Sequence, residues 1–152
     1  MTDSVLRDAV VDDLDSLAGL LVQADSSWTL ADLRAAIDDN THVLVVAKHN
    51  GSLLGFFYSA TVADEETLRF ICVDPVVRRL GVGSALMREL LWRAAANGRR
   101  VLLEVRRSNL AAIALYETVG FRRDGIRPEY YSGFEAGQRE DALLMSYYSP
   151  AD

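Results

Sequence analysis

The chain has 152 residues, of which 50% are apolar and 25% charged, and its net charge is −6 at pH 7. This length supports a real hydrophobic core, and the composition excludes an intrinsically disordered chain, so we expect residues 1–152 to form one domain. The acidic balance disfavours nucleic-acid binding, which usually requires an excess of Lys and Arg. No apolar stretch is long enough to cross a bilayer, so no membrane partner is expected.

A few residues set expectations for compartment and metal content. Met1–Ser4 lacks the basic and apolar regions of a secretion signal, and Cys72, the single cysteine, cannot form an internal disulfide. We therefore expect a cytoplasmic protein, with Cys72 as a small core residue rather than a reactive thiol. His42 and His49 have no Cys or acidic partner at ligand spacing, so no metal site is predicted.

The chain begins with a predicted strand and two helices. The strand covers Val5–Val10, and Asp12 or Asp13 can cap the first helix. Its inward face would carry Leu14, Leu17 and Leu21. Thr29 and Asp32 form a capping-box pattern at the second helix. Its inward face would carry Leu30, Leu33 and Ile37. Between the helices, Trp28 is interpreted either as core filler or as a wall of a substrate pocket.

Three strands are predicted next. A valine-rich strand, His42–His49, is followed by Asn50-Gly51, a strong signal for a tight hairpin turn. Leu53–Val62 would be its partner. After an acidic turn at Asp64–Glu66, a further strand is predicted over Thr67–Val73. Local connections of this kind favour antiparallel pairing.

The most informative stretch reads as a strand, a short loop and a helix, from Phe70 to Gly98. Apolar spacing predicts the helix, and Gly98 stands where helices commonly end in a left-handed residue. At the helix start, Gly81 and Gly83 would let a ligand approach the free N–H groups and the positive dipole end of the first turn. The pattern predicts a phosphate or pyrophosphate site.

Two common phosphate loops do not match this stretch. A Walker loop needs a lysine after its glycines, and a Rossmann fingerprint needs a third glycine where Leu86 stands. The remaining pattern, Arg78-x-x-Gly81-x-Gly83, resembles the pyrophosphate loop of the GNAT acetyltransferase superfamily.

The second half continues the alternation of strands and helices. A buried strand, Val101–Val105, precedes a helix over Leu110–Val119 that Gly120 would end. Further strands begin at Phe121 and cover Ala142–Tyr148. The order predicts a mixed α/β sheet with helices on both faces.

Three residues here have both a structural and a chemical interpretation. A carboxylate inside an apolar strand, as at Glu104, is costly to bury unless it pairs with an arginine such as Arg106 or faces a cleft. Asn109, like Ser108, can simply cap the following helix. Tyr116 can pack its ring between helix and sheet or supply a phenol to catalysis.

Taken together, these residues form a longer motif. Leu103–Arg106, Ser108-Asn109, Ala111–Glu117 and Gly120-Phe121 resemble the L-E-V-R-x-S-N-x-x-A-x-x-L-Y-x-x-x-G-F signature of bacterial ribosomal-protein-alanine N-acetyltransferases, a branch of the GNAT superfamily. Other matching segments are Val73–Pro75, Gly125–Arg127, Tyr130-Tyr131 and Glu140–Ala142.

The resemblance implies a largely antiparallel central sheet with helices on both faces and a splayed strand pair that holds acetyl-CoA. The implied cofactor-binding residues are Ile71, Cys72, Val73, Arg78, Arg79, Leu80, Gly81, Val82, Gly83, Ser84 and Asn109. Glu104 would be the proton acceptor and Tyr116 the proton donor. Tyr130 and Tyr131, with Trp28 as a candidate from its position, would contact the acceptor.

The implied activity is acetyl transfer from acetyl-CoA to the N-terminal α-amine of a protein or peptide, with an alanine-starting ribosomal protein as candidate. We expect direct attack rather than a covalent intermediate on Cys72. A small-molecule amine acceptor and a non-catalytic acyl-CoA sensor are the alternatives. Arg78 stands where the branch more often has glutamine, Leu80 interrupts the usual polar loop, and the hairpin Ser132–Arg139 is longer than usual.

Overall fold

The computed structural model describes residues 5–24, 28–78, 80–133 and 137–149. In chain order the elements are β1 (Val5–Asp8), α1 (Leu14–Gln23), α2 (Leu30–Ile37), β2 (His42–His49), β3 (Ser52–Val62), β4 (Glu65–Val73), α3 (Val82–Ala96), β5 (Val101–Arg106), α4 (Leu110–Thr118), β6 (Arg122–Ser132) and β7 (Arg139–Tyr147). Single 3-10 turns precede α1 and follow β4. Across these described ranges, every helix is too short or too polar to span a membrane.

The strands form one seven-stranded sheet in the order β1-β2-β3-β4-β5-β7-β6. Neighbouring strands are antiparallel except for β4 and β5, which are parallel. The predicted tight turn is present between β2 and β3, where Asn50 and Gly51 have φ angles of 50° and 82°. The mixed, largely antiparallel sheet predicted from the sequence is therefore confirmed.

Each face of the sheet carries its own hydrophobic core. On one face, Leu44, Val46 and Phe56 pack against α1 and α2, and on the other, Val45 and Phe57 pack against α3 and α4. Successive side chains of a strand point to opposite faces, so the long apolar runs of β2 and β3 supply both cores. Helices on both faces are confirmed.

The start of α2 follows its predicted capping box. Thr29 Oγ1 accepts a hydrogen bond from Asp32 N at 3.2 Å, and Asp32 Oδ2 accepts one from Thr29 N at 2.8 Å. The predicted inward face is only partly right, because Leu33 and Ala36 are buried whereas Leu30 is exposed. The buried face of α2 is therefore shifted by about one residue around the helix from the predicted face, a small rotation for a helix with 3.6 residues per turn.

Asp13 does not cap α1 with its side chain, contrary to one of the two predicted options. Its carboxylate is only 2% exposed and accepts hydrogen bonds from Arg7 Nη1 at 2.8 Å and Val10 N at 2.8 Å, with Lys48 Nζ at 3.4 Å. The Arg7 hydrogen bond in particular lowers the pKa of Asp13 to about 2. The acid therefore ties β1 and β2 to the start of α1.

The predicted acidic turn Asp64–Glu66 is shorter in the structure, since β4 already begins at Glu65. Glu66 is buried and accepts hydrogen bonds from Ser59 Oγ at 2.6 Å and Thr61 Oγ1 at 2.9 Å. These two hydroxyls on β3 satisfy the carboxylate, which would otherwise be costly to bury.

Candidate active site

A gap opens in the sheet between its two parallel strands. β4 and β5 pair only from Glu66 to Leu68 and from Val101 to Leu103. Beyond that point β4 continues to Val73 beside β3, and β5 continues to Arg106 beside β7. The facing edges of the two strands are therefore unpaired above Leu68, which is the splayed strand pair expected from the resemblance.

Backbone groups of β4 face this gap. Asp74 N donates to Leu54 O at 2.8 Å, which marks a hydrogen-bonded position between β3 and β4. Because bonded and non-bonded positions alternate along an antiparallel pair, Cys72 bonds to β3 while Ile71 and Val73 turn their N–H and C=O groups towards the gap. Two of the three predicted pantetheine-binding residues therefore present backbone groups there.

The thiol of Cys72 lies on the face of the sheet that is covered by α1 and α2. It is half-buried and packs against the core beneath α1 and α2. Burial raises the pKa of the thiol, so the thiolate that a covalent mechanism would need is disfavoured. This agrees with the predicted core role.

The first turn of α3 lies at the end of the gap and offers free amides. Gly81 is the N-cap in the left-handed conformation, with φ of 85°. The first hydrogen bond of the helix runs from Ala85 N to Gly81 O at 3.0 Å, so the N–H groups of Val82, Gly83 and Ser84 have no partner within the helix. Together with the helix dipole they form an anion site.

Glycine is needed at the two loop positions, Gly81 and Gly83, for different structural reasons. A Cβ at Gly81 would meet nothing within 4 Å, so that position is fixed by its positive φ and borders open space. A Cβ at Gly83 would lie 3.3 Å from Leu115 Cδ2 and 3.8 Å from Val73 Cγ2. Gly83 therefore lets α3 approach α4 and β4 closely, rather than only making room for a ligand.

The rest of the predicted loop is exposed. Arg78 and Leu80 both face solvent, and the predicted residue Arg79 lies outside the described residues. The charge of Arg78 acts on the Cys72 thiol, which places this guanidinium near the open end of β4. The loop thus combines free amides with at least one nearby cation.

Glu104 projects from β5 on the face opposite α3 and α4, because its neighbours along the strand are buried beneath those helices. Its side chain is 28% exposed, and its Oε1 lies 2.8 Å from Arg127 Nη2. The predicted pairing of Glu104 with an arginine is confirmed, but the partner is Arg127 and not Arg106, the example suggested by the sequence. Arg106 Nη1 instead lies 3.2 Å from Glu140 Oε1, because β7 separates β5 from β6 and brings distant partners onto one face.

Tyr116 rises from α4 on the opposite face and is only 6% exposed. Its ring packs against Phe121 at 5.8 Å between centroids. Among the described residues no group forms a hydrogen bond with its hydroxyl. Burial, reinforced by Tyr131, raises the pKa of Tyr116 to about 12, so the phenol stays protonated at neutral pH and can donate a hydrogen bond.

Tyr131 connects the two candidate catalytic residues. Burial first, and then the charge of Glu104, raise the pKa of Tyr131 to about 12. The same ring acts electrostatically on Tyr116, so it lies near both groups. Arg106 stacks over Tyr131 at 4.7 Å from the ring centroid. Glu104 and Tyr116 therefore lie on different faces of the sheet, and each is close enough to Tyr131 to interact with it electrostatically.

The other predicted acceptor residues divide into two groups. Tyr130 meets Tyr131 edge-on at 5.0 Å and lies under the Arg127 guanidinium at 4.7 Å, within the same cluster. Trp28 meets Tyr58 edge-on at 4.8 Å and packs on the core beneath α1 and α2. Its core role is confirmed, and its role as a substrate wall stays a prediction.

Asn109 has the capping role that the sequence allows. Its Oδ1 accepts a hydrogen bond from Ala112 N at 3.2 Å, which leaves the Nδ2 group directed at no other group in the described ranges. The preceding Ser108 N donates to Glu140 Oε2 at 2.8 Å, which ties the cap to β7. The roles of Glu140 and Arg127 as partners were missed, although both lie in segments that carried the family resemblance.

Within residues 5–24, 28–78, 80–133 and 137–149, no three His, Cys, Asp or Glu side chains come together as metal ligands would. His42 stacks on Tyr58 at 5.4 Å and both histidines are half-buried at the ends of β2.

Comparisons with known proteins agree with this geometry. The family model described as Acetyltransferase (GNAT) family matches residues 8–121. The [ribosomal protein bS18]-alanine N-acetyltransferase of Escherichia coli K12 is 45% identical over 98 residues, 64% of this chain and 65% of that enzyme. The chain thus aligns with slightly less than two thirds of that relative's length.

Two further matches extend over more of the chain. N-alpha-acetyltransferase RimI of Mycobacterium tuberculosis is 37% identical over 126 residues, 79% of this chain and 78% of that protein. The crystal structure of the ribosomal-protein-S18-alanine N-acetyltransferase from Escherichia coli is similar with a TM-score of 0.84 at 32% identity, over 95% of this chain and 93% of that one. The chain therefore belongs to the GNAT family of acetyltransferases.

Proposed function

We propose that the chain is an acetyl-CoA-dependent N-acetyltransferase that modifies the N-terminal α-amine of a protein, with an alanine-starting ribosomal protein as the candidate acceptor. One observation carries this proposal: the gap between β4 and β5 ends at the free amides of α3, and a carboxylate, Glu104, and a protonated phenol, Tyr116, both interact with Tyr131. The names of the relatives support the choice of acceptor.

The donor would lie along the gap. The amides of Val82, Gly83 and Ser84 would hold its pyrophosphate, with Arg78 as a nearby cation and the segment at Arg79 and Leu80 completing the loop. The backbone groups of Ile71 and Val73 would bond to the pantetheine arm as an added strand would, with Cys72 holding this segment to β3. The Nδ2 group of Asn109 would donate to the cofactor beyond the pyrophosphate.

Glu104 would prepare the acceptor amine. An α-amino group has a reference pKa of about 7.7 to 8.0, so it arrives largely as an ammonium ion at neutral pH. A carboxylate first binds this cation and then accepts its proton, directly or through a water molecule. The neutral amine then attacks the acetyl carbonyl carbon of the thioester.

Tyr116 would act when the tetrahedral intermediate collapses. The C–S bond breaks, and the sulfur leaves with the electron pair as a thiolate. The Tyr116 hydroxyl has no hydrogen-bond partner in the described part of the chain and stays protonated because its pKa is about 12, so it would donate a hydrogen bond to that sulfur. The products are the acetylated amine and CoA, without an acyl-enzyme.

The acceptor would approach from the face that carries Glu104. Tyr130 and Tyr131 would flank the first residue of the acceptor, and Trp28 would form a more distant wall. We place the enzyme in the cytoplasm with no metal, nucleic acid or membrane partner, since one unpaired cysteine and an acidic composition fit that setting.

The decisive experiment is mass spectrometry after incubation with acetyl-CoA. One arm uses peptides that differ in their first residue, and the other uses free amino acids, polyamines and aminoglycosides. Acetylation of peptide α-amines is the expected result. Acetylation of free amines alone would assign the site to small molecules, and acetyl-CoA binding without any acetylated amine would make the chain a sensor.

A further inference from the structure

The carboxylate that would receive the acceptor amine is already paired in the structure. Arg127 Nη2 lies 2.8 Å from Glu104 Oε1, close enough for a charge-assisted hydrogen bond. An acceptor ammonium needs the same oxygen atoms. The amine and Arg127 therefore compete for one carboxylate, an inference that rests on the proposed function.

The register of the sheet explains how Arg127 reaches across. Arg127 on β6 is paired with Ala142 on β7, and Glu104 on β5 is paired with Leu144 on β7. All four side chains lie on one face of the sheet. Residues that are directly paired on neighbouring strands point to the same face, and so do residues two apart on one strand. Ala142 contributes only a methyl group, so the long arginine side chain can cross β7 to the acid.

Arg127 is also joined to the aromatic pair of the acceptor side. Its guanidinium carbon lies 4.7 Å from the centroid of the Tyr130 ring, and Tyr130 meets Tyr131 edge-on at 5.0 Å. Departure of Arg127 from Glu104 therefore exposes the acid and frees one face of Tyr130 at the same time.

The other nearby cation is held in a different place. Arg106 bonds to Glu140 at 3.2 Å and stacks on Tyr131 at 4.7 Å. It lies on the same strand as Glu104 but is directed along the sheet towards β7. Arg127 therefore supplies the guanidinium that pairs with Glu104.

The pairing of β6 with β7 is irregular beside Arg127. Between Arg127 and Tyr131 the pairing of β6 with β7 shifts, and Glu129 within this bulge has a φ of 51°. Arg127 is half-exposed, at 51%, so its side chain can swing into solvent. An exposed ion pair of this kind is weak enough for a bound cation to displace it.

We propose that Arg127 pairs with Glu104 in place of the acceptor ammonium when no acceptor is bound, and that Arg127 thereby determines the specificity of this site. Without acceptor it neutralises Glu104 and covers Tyr130. A cationic amine with peptide backbone behind it replaces the guanidinium, whereas a neutral ligand gains nothing from Glu104 in exchange. After transfer the product amide is neutral, so Arg127 returns to the acid.

The test compares Arg127→Gln with Arg123→Gln. Arg123 lies on the same strand, and its guanidinium pairs with Glu117 at 3.1 Å, so the control removes the same charge from an exposed ion pair outside the site. The probe is an alanine-starting hexapeptide bound to the enzyme–CoA complex, measured by calorimetry so that no turnover intervenes.

Arg127→Gln is expected to tighten binding of the hexapeptide about fivefold, the equivalent of about 1 kcal/mol. KM for the peptide should fall with it, while the dissociation constant of acetyl-CoA stays within twofold of the wild type. The Arg123 variant should match the wild type. Unchanged or weaker peptide binding in Arg127→Gln, or an equal gain in both variants, overturns the proposal.

A second measurement uses the wild-type protein and needs no turnover. In the enzyme–CoA complex, titration with L-alaninamide should release the Arg127 guanidinium, seen by NMR as faster exchange of its Nε–H. L-Lactamide, the neutral analogue with a hydroxyl in place of the ammonium group, should leave that signal unchanged. Release by both ligands or by neither contradicts the competition.

The outcomes separate this inference from the proposed function. If peptides are acetylated but Arg127→Gln fails to tighten their binding, the function stands and the inference fails. If no peptide is acetylated while alaninamide still releases Arg127, the acceptor assignment fails and the competition at Glu104 stands.

Discussion

Tyr116→Phe removes a single oxygen atom beside the gap between β4 and β5. Because the hydroxyl forms no hydrogen bond within the described ranges, its loss leaves no other group unsatisfied. The ring keeps its packing against Phe121, so the variant should be as stable as the wild type at pH 7 or more stable by about 1 kcal/mol.

The catalytic effect should have the opposite direction. The pKa of about 12 keeps the hydroxyl protonated at pH 7, so every wild-type molecule has a donor for the leaving sulfur. Loss of a positioned proton donor costs about 100- to 10,000-fold, and we therefore expect kcat to fall by about 100-fold or more, at least about 2.7 kcal/mol of barrier. Acetyl-CoA affinity should change little.

The dependence of the unfolding free energy on pH gives a second quantity by which Tyr116→Phe can be compared with the wild type. A tyrosine pKa raised from 10 to about 12 by folding contributes stability that is present below pH 10 and is lost as the pH rises to 12. Two pKa units correspond to about 3 kcal/mol. The stability advantage of Tyr116→Phe should therefore grow by about that order between pH 10 and 12.

The assay combines CoA release by a thiol reagent with thermal unfolding at several pH values. Tyr148→Phe is the matched control, since it deletes the same hydroxyl from a ring that is 68% exposed. A Tyr116→Phe enzyme with wild-type kcat at saturating substrates would remove Tyr116 from the mechanism. A clear loss of stability at pH 7 would show that the hydroxyl has a structural partner.

Substitutions at three further residues test the loop, the cap and the buried acid. Asn109→Ser should keep the cap and the melting temperature but weaken acetyl-CoA binding severalfold in calorimetry, whereas Asn109→Ala should also lose about 1 kcal/mol of stability. Gly81→Ala should cost about 1–2 kcal/mol in denaturant unfolding because φ is 85°, and should raise the dissociation constant of acetyl-CoA. Asp13→Asn should cost about 1–2 kcal/mol at pH 7, discounted for the half-exposed Arg7. It should also reduce the loss of stability expected for the wild type between about pH 4 and pH 2; an unchanged loss over this range would contradict the Asp13 assignment.

The features that the sequence predicted correctly are mostly local. The capping box of Thr29 and Asp32, the turn at Asn50-Gly51 and the left-handed Gly98 depend on contacts within a few residues, which propensity and spacing describe well. The gap between β4 and β5 was expected only through the family resemblance, since no periodicity encodes where a parallel pair separates.

The errors concern charged residues whose partners lie far away in the chain. The sequence suggested an arginine partner for Glu104 and offered the nearby Arg106 as an example, but the insertion of β7 between β5 and β6 brings Arg127 to it instead. Similarly, Asp13 looks like a cap and Glu66 like part of a turn until β2 and β3 are placed beside them. Burial of a carboxylate depends on such neighbours, which the sequence alone does not order.

The bulge in β6 also limits how this enzyme can change its acceptor. From Arg127 to Tyr131 the strand advances four residues while β7 advances two, from Ala142 to Glu140. The excess is even, so Arg127 and Tyr131 still point to the same side, whereas a single added residue would turn Tyr131 away. Insertions or deletions between Arg127 and Tyr131 that keep this tyrosine on the acceptor side should therefore involve pairs of residues.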